Sequence, residues 1–153
     1  MAAALAIKRL QKELKAFHDK PSLDRVFIRC DDWNMLKMWY VFQGPQGTPY
    51  ATGWYYGTLS FPENYPLAPP SVQMLTPSGR FATGVNICLS ISSFHPENWS
   101  PGVGFAAVLE GLMNFMGEDG KTVGSLDPLP PAEERTRLAL ASMTWNKEQH
   151  DFR

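Results

Sequence analysis

The chain has few cysteines, no excess of one charge and no long apolar run. Its 153 residues include two cysteines, too few for the disulfide framework of a small secreted domain, so a reducing, cytosolic setting is expected. The 14 basic and 15 acidic residues nearly cancel, which argues against nucleic acid as the main partner because phosphate binding needs clustered Lys and Arg. The apolar runs are well short of the roughly 18 residues that cross a bilayer, so no membrane segment is predicted.

Apolar and aromatic residues are plentiful. The composition is 44% hydrophobic, with nine Phe, five Tyr and five Trp, enough to bury a core without a metal or disulfide. We therefore expect one folded domain over residues 1–153 and no disordered chain.

The first half of the chain reads as one helix followed by strands. Ile7, Leu10, Leu14 and Phe17 recur at helical spacing near the N-terminus. Short runs rich in β-branched and aromatic residues then predict strands at about 25–30, 35–43, 53–60 and 71–75. The short links between them favour an antiparallel meander over a parallel sheet with helical crossovers.

The second half predicts a long irregular segment and two helices. Residues 75–104 are rich in Gly and Pro, and a loop of this length in a small domain is usually functional. A buried helix is expected from Phe105, with Gly117 as its C-cap. Another is expected to start near Ala132 and to place Leu138, Ala141 and Trp145 on one side. Strands and helices that are segregated in this way indicate an α+β fold.

Alternation distinguishes the two cysteines. Cys30 shares a strand face with Val26 and Ile28, which predicts a buried, inert residue. Cys88 alternates with Ile87 and Leu89, so in an extended segment it points to the polar side and is the better candidate nucleophile. A structural role for Cys88 is the alternative, because cysteine is so often buried.

Five segments spread over almost the whole chain form one pattern: Ile7-Lys8-Arg9-Leu10, Gly44-Pro45-Gln46-Gly47-Thr48-Pro49-Tyr50, Phe61-Pro62-Glu63-Asn64-Tyr65-Pro66-Leu67-Ala68-Pro69-Pro70, Ile87-Cys88-Leu89 and Trp99-Ser100-Pro101. Together these segments resemble the catalytic fold of ubiquitin-conjugating (E2) enzymes.

One departure from that family indicates a particular branch. Most members carry His-Pro-Asn shortly before the cysteine, whereas this chain reads Thr76-Pro77-Ser78-Gly79-Arg80-Phe81. This is similar to the Thr-Pro-Asn-Gly-Arg-Phe of the tail-anchored, endoplasmic-reticulum-associated branch. Ser78 stands where that branch has asparagine, and no apolar anchor follows in this sequence. We therefore expect a cytosolic protein, or one at the cytosolic face of the endoplasmic reticulum if an anchor has been removed.

The resemblance implies thioester chemistry at Cys88. The thiol would accept ubiquitin from an activating (E1) enzyme and pass it to a lysine, or to a serine or threonine, of a protein substrate, usually with a ligase (E3). The transient oxyanion needs a hydrogen-bond donor, for which Ser78, Asn86 and Asn98 are candidates. Each of the three is equally suited to a turn.

Two further residues are candidates for activating the acceptor. His95 follows Cys88 within one loop, and an imidazole can take the proton of an attacking hydroxyl. Asp127 is a second candidate for steering or deprotonating the acceptor. The alternatives are a surface histidine that is unrelated to the site and an aspartate that supports the turn at Pro128.

The same resemblance predicts the partner surfaces. Lys8, Arg9 and Lys12 would contact the activating enzyme, and Leu67 and Pro101 would lie at the ligase-binding loops. A solvated basic helix face and ordinary loop packing are the alternatives.

Two other functions remain open at this level: a non-catalytic ubiquitin-binding scaffold of the same fold, and a carrier of another ubiquitin-like modifier. No cofactor or metal is predicted, because the cysteines and histidines lack the spacing of ligand pairs.

Overall fold

The computed structural model describes residues 2–89, 96–118 and 120–152. Helix α1 spans Ala2–Asp19 and is followed by four strands, a short 3₁₀ turn and two helices. The strands are β1 (Val26–Cys30), β2 (Lys37–Gln43), β3 (Trp54–Ser60) and β4 (Ser71–Met74). The 3₁₀ turn is Pro96–Asn98, and the helices are α2 (Phe105–Met116) and α3 (Ala132–Lys147). The predicted α+β class and order of elements are confirmed.

The four strands form one antiparallel meander in the order β1-β2-β3-β4. Val26 pairs with Phe42 and Cys30 with Met38 across the first hairpin, and Lys37 pairs with Ser60 across the second. Because successive side chains of a strand point to opposite faces, Met38, Tyr40 and Phe42 all point into the core.

One hydrophobic cluster joins the inner face of the sheet to the helices. From α1 it takes Ala6, Leu10 and Phe17, and from α2 it takes residues at helical spacing. Phe105 of α2 has its ring centroid 6.2 Å from that of Phe17 and 6.4 Å from that of Phe61. The same cluster includes Phe81, Ile87, Leu89 and Trp99, so the irregular 75–104 segment is packed against the sheet and the helices.

The side of α3 that carries Leu138, Ala141 and Trp145 is not its buried face. Ala141 is exposed, and Leu138 and Trp145 are only half-buried, whereas the buried residues are Ala139, Ser142 and Asn146. Two of these three are polar, so hydrophobic periodicity could not identify the face.

The polar face of α3 completes the edge of the sheet. The pairing of β3 with β4 ends at Gly57 and Met74, so the start of β3 needs other partners on that side. The N–H of Trp54 donates to Ser142 Oγ (2.9 Å), and its carbonyl accepts from Asn146 Nδ2 (2.8 Å). Side chains of α3 thus supply the hydrogen bonds that a longer β4 would make.

Helix α2 ends at Met116 with Gly117 as its C-cap, as predicted, but Gly117 has right-handed backbone angles (φ −76°). The helix therefore does not use the left-handed conformation for which glycine is favoured at such positions. None of the described helices is long and apolar enough to span a membrane.

Candidate active site

Cys88 lies in an extended segment that runs beside β4. The N–H of Ile87 donates to Val72 O (2.9 Å), which fixes the segment against the sheet. Ile87 and Leu89 are buried, and Cys88 between them is half-buried, so burial follows the predicted alternation. The apolar neighbours anchor the backbone and leave Cys88 partly exposed.

A loop at residues 121–127 is bonded to the backbone of Cys88 on both sides. The N–H of Cys88 donates to Val123 O (2.9 Å), and Thr122 Oγ1 donates to the Cys88 carbonyl (2.9 Å). Gly124 allows the close approach: its φ is +92°, and an added Cβ would lie 2.6 Å from Asn86 O. Since the Cys88 N–H is already bonded to Val123, an oxyanion donor must come from elsewhere.

Ser78 is placed to brace its own loop. It is fully buried, and its Oγ accepts hydrogen bonds from the N–H groups of Arg80 (3.0 Å) and Phe81 (3.2 Å). Of the roles considered for this residue, the geometry favours the turn.

The two asparagines are held differently. Asn86 is half-buried, and its Oδ1 accepts from Gln73 Nε2 (2.9 Å) across a β-bridge between the two residues. Asn98 is exposed and ends the 3₁₀ turn. Asn86 therefore helps to fix the segment that leads into Cys88, whereas the side chain of Asn98 is presented to solvent.

Of the two candidates for acceptor activation, His95 and Asp127, the structure describes only Asp127. His95 lies outside the described residues. Asp127 lies at the end of the loop that is bonded to Cys88, is exposed, and forms an ion pair with Lys121, with Nζ 3.2 Å from Oδ1.

Arg80 supports the loops beside Cys88, a role that the sequence did not reveal. Its side chain is fully buried, and its guanidinium donates to the carbonyls of Phe115 (3.1 Å), Met116 (3.3 Å) and Gly120 (2.8 Å). These include the last carbonyls of α2, which a helix end leaves without internal partners. The Arg80 carbonyl accepts from Leu126 N–H (2.9 Å), so the residue ties the 76–81 segment to Gly120, just before the Cys88-bonded loop, and to Leu126 within it.

The predicted partner-binding residues of α1 are not equivalent. Lys8 and Lys12 are exposed. Arg9 is half-buried, pairs with Glu13 (Nε to Oε2, 3.0 Å) and donates to the Pro101 carbonyl (2.7 Å). Arg9 therefore joins α1 to the loop that carries Pro101.

The two predicted ligase-binding positions lie on loops that are bonded to each other. Leu67 is 73% exposed, and Pro101 is also exposed. Trp99 Nε1 donates to Pro66 O (2.7 Å), and the rings of Trp99 and Tyr65 are 5.9 Å apart. The structure thus brings Leu67, Pro101 and the start of α1 to one end of the molecule.

Glu13 is the centre of this arrangement, and sequence reasoning missed it. Its carboxylate accepts from Arg9, from the Tyr65 hydroxyl (2.5 Å) and from the N–H of Phe105 (2.9 Å), the first residue of α2. Gly104 makes room for it, with φ +81° and an added Cβ only 2.5 Å from Glu13 Oε1. Burial, together with the hydrogen bond to Glu13, raises the pKa of the Tyr65 phenol.

Cys30 differs somewhat from its prediction. It is half-buried rather than buried, because it ends β1 beside the exposed turn that follows. Burial, and then the carboxylate of Asp31, raises the pKa of its thiol, which makes the thiolate less available for reaction. Among the described residues, no group of three or more His, Cys, Asp or Glu side chains could hold a metal ion.

The structure combines a four-stranded sheet packed against helices with a half-buried cysteine whose backbone is bonded to a neighbouring loop. These two features define a class of protein, which can be compared with known families. The model of the ubiquitin-conjugating enzyme family matches residues 9–127. The chain belongs to the ubiquitin-conjugating enzyme family.

Individual relatives extend the match to the whole chain. The probable ubiquitin-conjugating enzyme E2 33 of Arabidopsis thaliana is 42% identical over all of this chain and 62% of its own length. The E2 6 of Schizosaccharomyces pombe is 44% identical over 94% of this chain and 61% of its own. The E2 J2-like enzyme of Dictyostelium discoideum is 42% identical over 95% of this chain and 84% of its own. The chain thus spans about three fifths of the length of the first two.

A solved structure supports the fold. Human ubiquitin-conjugating enzyme E2 G1 superposes with a TM-score of 0.65 and 22% sequence identity, over 74% of this chain and 95% of that one.

Proposed function

We propose that residues 1–153 form one catalytic domain that carries ubiquitin as a thioester on Cys88. The observation that carries this proposal is the placement of Cys88, a half-buried thiol between two buried residues on a backbone bonded to the 121–127 loop. A binding scaffold has no need of such a thiol, so the placement favours catalysis.

The reaction has two acyl transfers. In the first, the Cys88 thiolate attacks the thioester carbonyl of ubiquitin held by the activating enzyme; a new C–S bond forms, and the thiol of the activating enzyme leaves. In the second, an amine or hydroxyl of the substrate attacks the Cys88 thioester, the C–S bond breaks and the Cys88 thiolate is released. A thiolate is both a good nucleophile and a good leaving group, so each step is easier than direct amide formation.

The surrounding residues take distinct parts in this proposal. Asp127, on the loop bonded to Cys88, steers the acceptor, and His95 serves hydroxyl acceptors as a base. Asn86 and Asn98 remain the candidate oxyanion donors. Ser78, which already accepts two backbone hydrogen bonds, braces the preceding loop.

Partner binding would use the end of the molecule at which Glu13 lies. Lys8 and Lys12 are the exposed charges available to the activating enzyme, with Arg9 holding the helix to the Pro101 loop. Leu67 and Pro101 form the apolar contact for a ligase. The resemblance of the Thr76–Phe81 motif to the endoplasmic-reticulum-associated branch supports a role in protein degradation at the cytosolic face of that membrane.

Charging with ubiquitin tests the proposal. Incubation with activating enzyme, ubiquitin and ATP should give an adduct that reducing agent removes. Cys88→Ala should abolish it, and Cys30→Ala, the matched control in the same chain, should retain it. The absence of an adduct would instead favour the scaffold function, and charging by a different modifier alone would favour a carrier of another ubiquitin-like modifier.

A further inference from the structure

The ion pair between Lys121 and Asp127 lies at the two ends of the loop that is bonded to Cys88. Lys121 Nζ is 3.2 Å from Asp127 Oδ1, and the two side chains are 73% and 54% exposed. The Lys121 ammonium is therefore paired with the Asp127 carboxylate. In the proposed function, this carboxylate steers the acceptor.

The loop that carries this pair is bonded to the backbone of Cys88. Thr122, the next residue, bonds the Cys88 carbonyl, and Val123 accepts from the Cys88 N–H. Ser125 closes the loop on itself: its Oγ accepts from Thr122 N–H (2.9 Å) and donates to Thr122 O (2.7 Å). The two ends of the loop are brought together, so Lys121 and Asp127 meet on the loop whose residues Thr122 and Val123 bond the Cys88 backbone.

We propose that Lys121 is an intramolecular competitor that holds Asp127 in the way an acceptor lysine would. The inference rests on the proposed function, since it requires ubiquitin on Cys88. Pairing with the Lys121 ammonium cancels most of the negative charge of the Asp127 carboxylate, so an incoming lysine is attracted strongly only when it displaces Lys121. An exposed pair of this kind is weak and exchanges readily with solvent, which makes the displacement feasible.

The competition acts on the second acyl transfer. The acceptor ammonium first gives one proton to solvent. As its nitrogen attacks the thioester carbon, positive charge develops on it, which the Asp127 carboxylate stabilises. The C–N bond forms, the C–S bond breaks, and the Cys88 thiolate leaves; the nitrogen loses its second proton to solvent. Lys121 opposes this step by partly neutralising Asp127, so removing its charge should favour amine acceptors.

Single-turnover discharge of the full chain tests this inference. Cys88 is first loaded with ubiquitin, ATP is then removed, and Nα-acetyl-lysine is added as the acceptor. For Lys121→Met, the second-order rate constant should rise roughly two- to fivefold, the size expected of one exposed ion pair. Lys121→Arg keeps the charge and should match the parent. Hydrolysis of the thioester without amine should be the same in all three, which shows that the loop is intact.

The Asp127→Asn background gives the decisive comparison. There, Lys121→Met should have no effect on the lysine reaction, because the pair is already absent. Three results would overturn the inference: an unchanged or lower rate in Lys121→Met, the same gain in the Asp127→Asn background, or mass spectrometry that finds ubiquitin transferred to Lys121 itself. Failure to load Cys88 at all would count against the proposed function instead.

Discussion

The substitution Glu13→Gln should destabilise the protein more than any other neutralisation of a single carboxylate on α1. The Glu13 carboxylate accepts hydrogen bonds from three elements: Arg9 on its own helix, the hydroxyl of Tyr65 and the N–H of Phe105. A glutamine has one acceptor oxygen in place of two. Its amide N–H₂ would face either the Phe105 N–H or the Arg9 and Tyr65 donors.

The magnitude follows from what is lost. A hydrogen bond to a charged group contributes about 1.5–3 kcal/mol, and a buried donor without an acceptor adds a penalty. The ion pair with Arg9 counts for little, because that residue is partly exposed. We therefore expect Glu13→Gln to lower the free energy of unfolding by about 2–3 kcal/mol. For a chain of this size, that corresponds to a fall in Tm of about 4–12 °C.

Urea unfolding followed by tryptophan fluorescence and far-UV circular dichroism measures this difference; coincident transitions would justify a two-state analysis. Glu110→Gln is the matched control, since Glu110 is exposed on α2. It should change the free energy of unfolding by less than about 0.5 kcal/mol. If Glu13→Gln were no more destabilising than Glu110→Gln, the role given to Glu13 as the link between the three elements would be refuted.

Three further predictions concern the partner surface, the acceptor and α3. Reversing the charge at Lys8 and Lys12 should slow charging of Cys88, more at low salt than at high salt because exposed charges are screened; equal slowing at all salt concentrations would contradict electrostatic docking. His95→Gln should slow discharge onto serine or threonine, so a parental rate in a discharge assay would exclude its role as a base. Asn146→Ala should lower the free energy of unfolding by about 2–3 kcal/mol, since two buried hydrogen bonds are lost, whereas Thr144→Ala on the exposed face of α3 should have little effect in the same urea titration.

The sequence predicted the sheet well because alternation and turn chemistry are local. Each of the four strands lies within two residues of its predicted bounds, and Cys88 alternates with Ile87 and Leu89 as expected. These features need no knowledge of distant contacts, since the period of two is set by the strand itself.

Most of what the sequence did not show comes from pairing between distant residues, whereas the half-burial of Cys30 is a local effect of its place at the end of β1. The buried face of α3 is polar because Ser142 and Asn146 bond the start of β3, some 90 residues earlier. Arg9 appeared to be one more basic residue on α1, but its guanidinium reaches the Pro101 carbonyl. Arg80 was part of a recognised motif, yet its bonds to the end of α2 depend on how the loops pack. No local pattern encodes such partners.

The intact mass of the charged protein tests the central claim most directly. After incubation with activating enzyme, ubiquitin and ATP, the account predicts one species heavier by the mass of ubiquitin less one water. Peptide mapping without reductant should place the linkage on Cys88, and Cys88→Ser should carry ubiquitin as an ester that resists reducing agent. The central claim would be contradicted by a chain that carries no ubiquitin. It would also be contradicted by a linkage at Cys30, or at a lysine, with Cys88 unmodified.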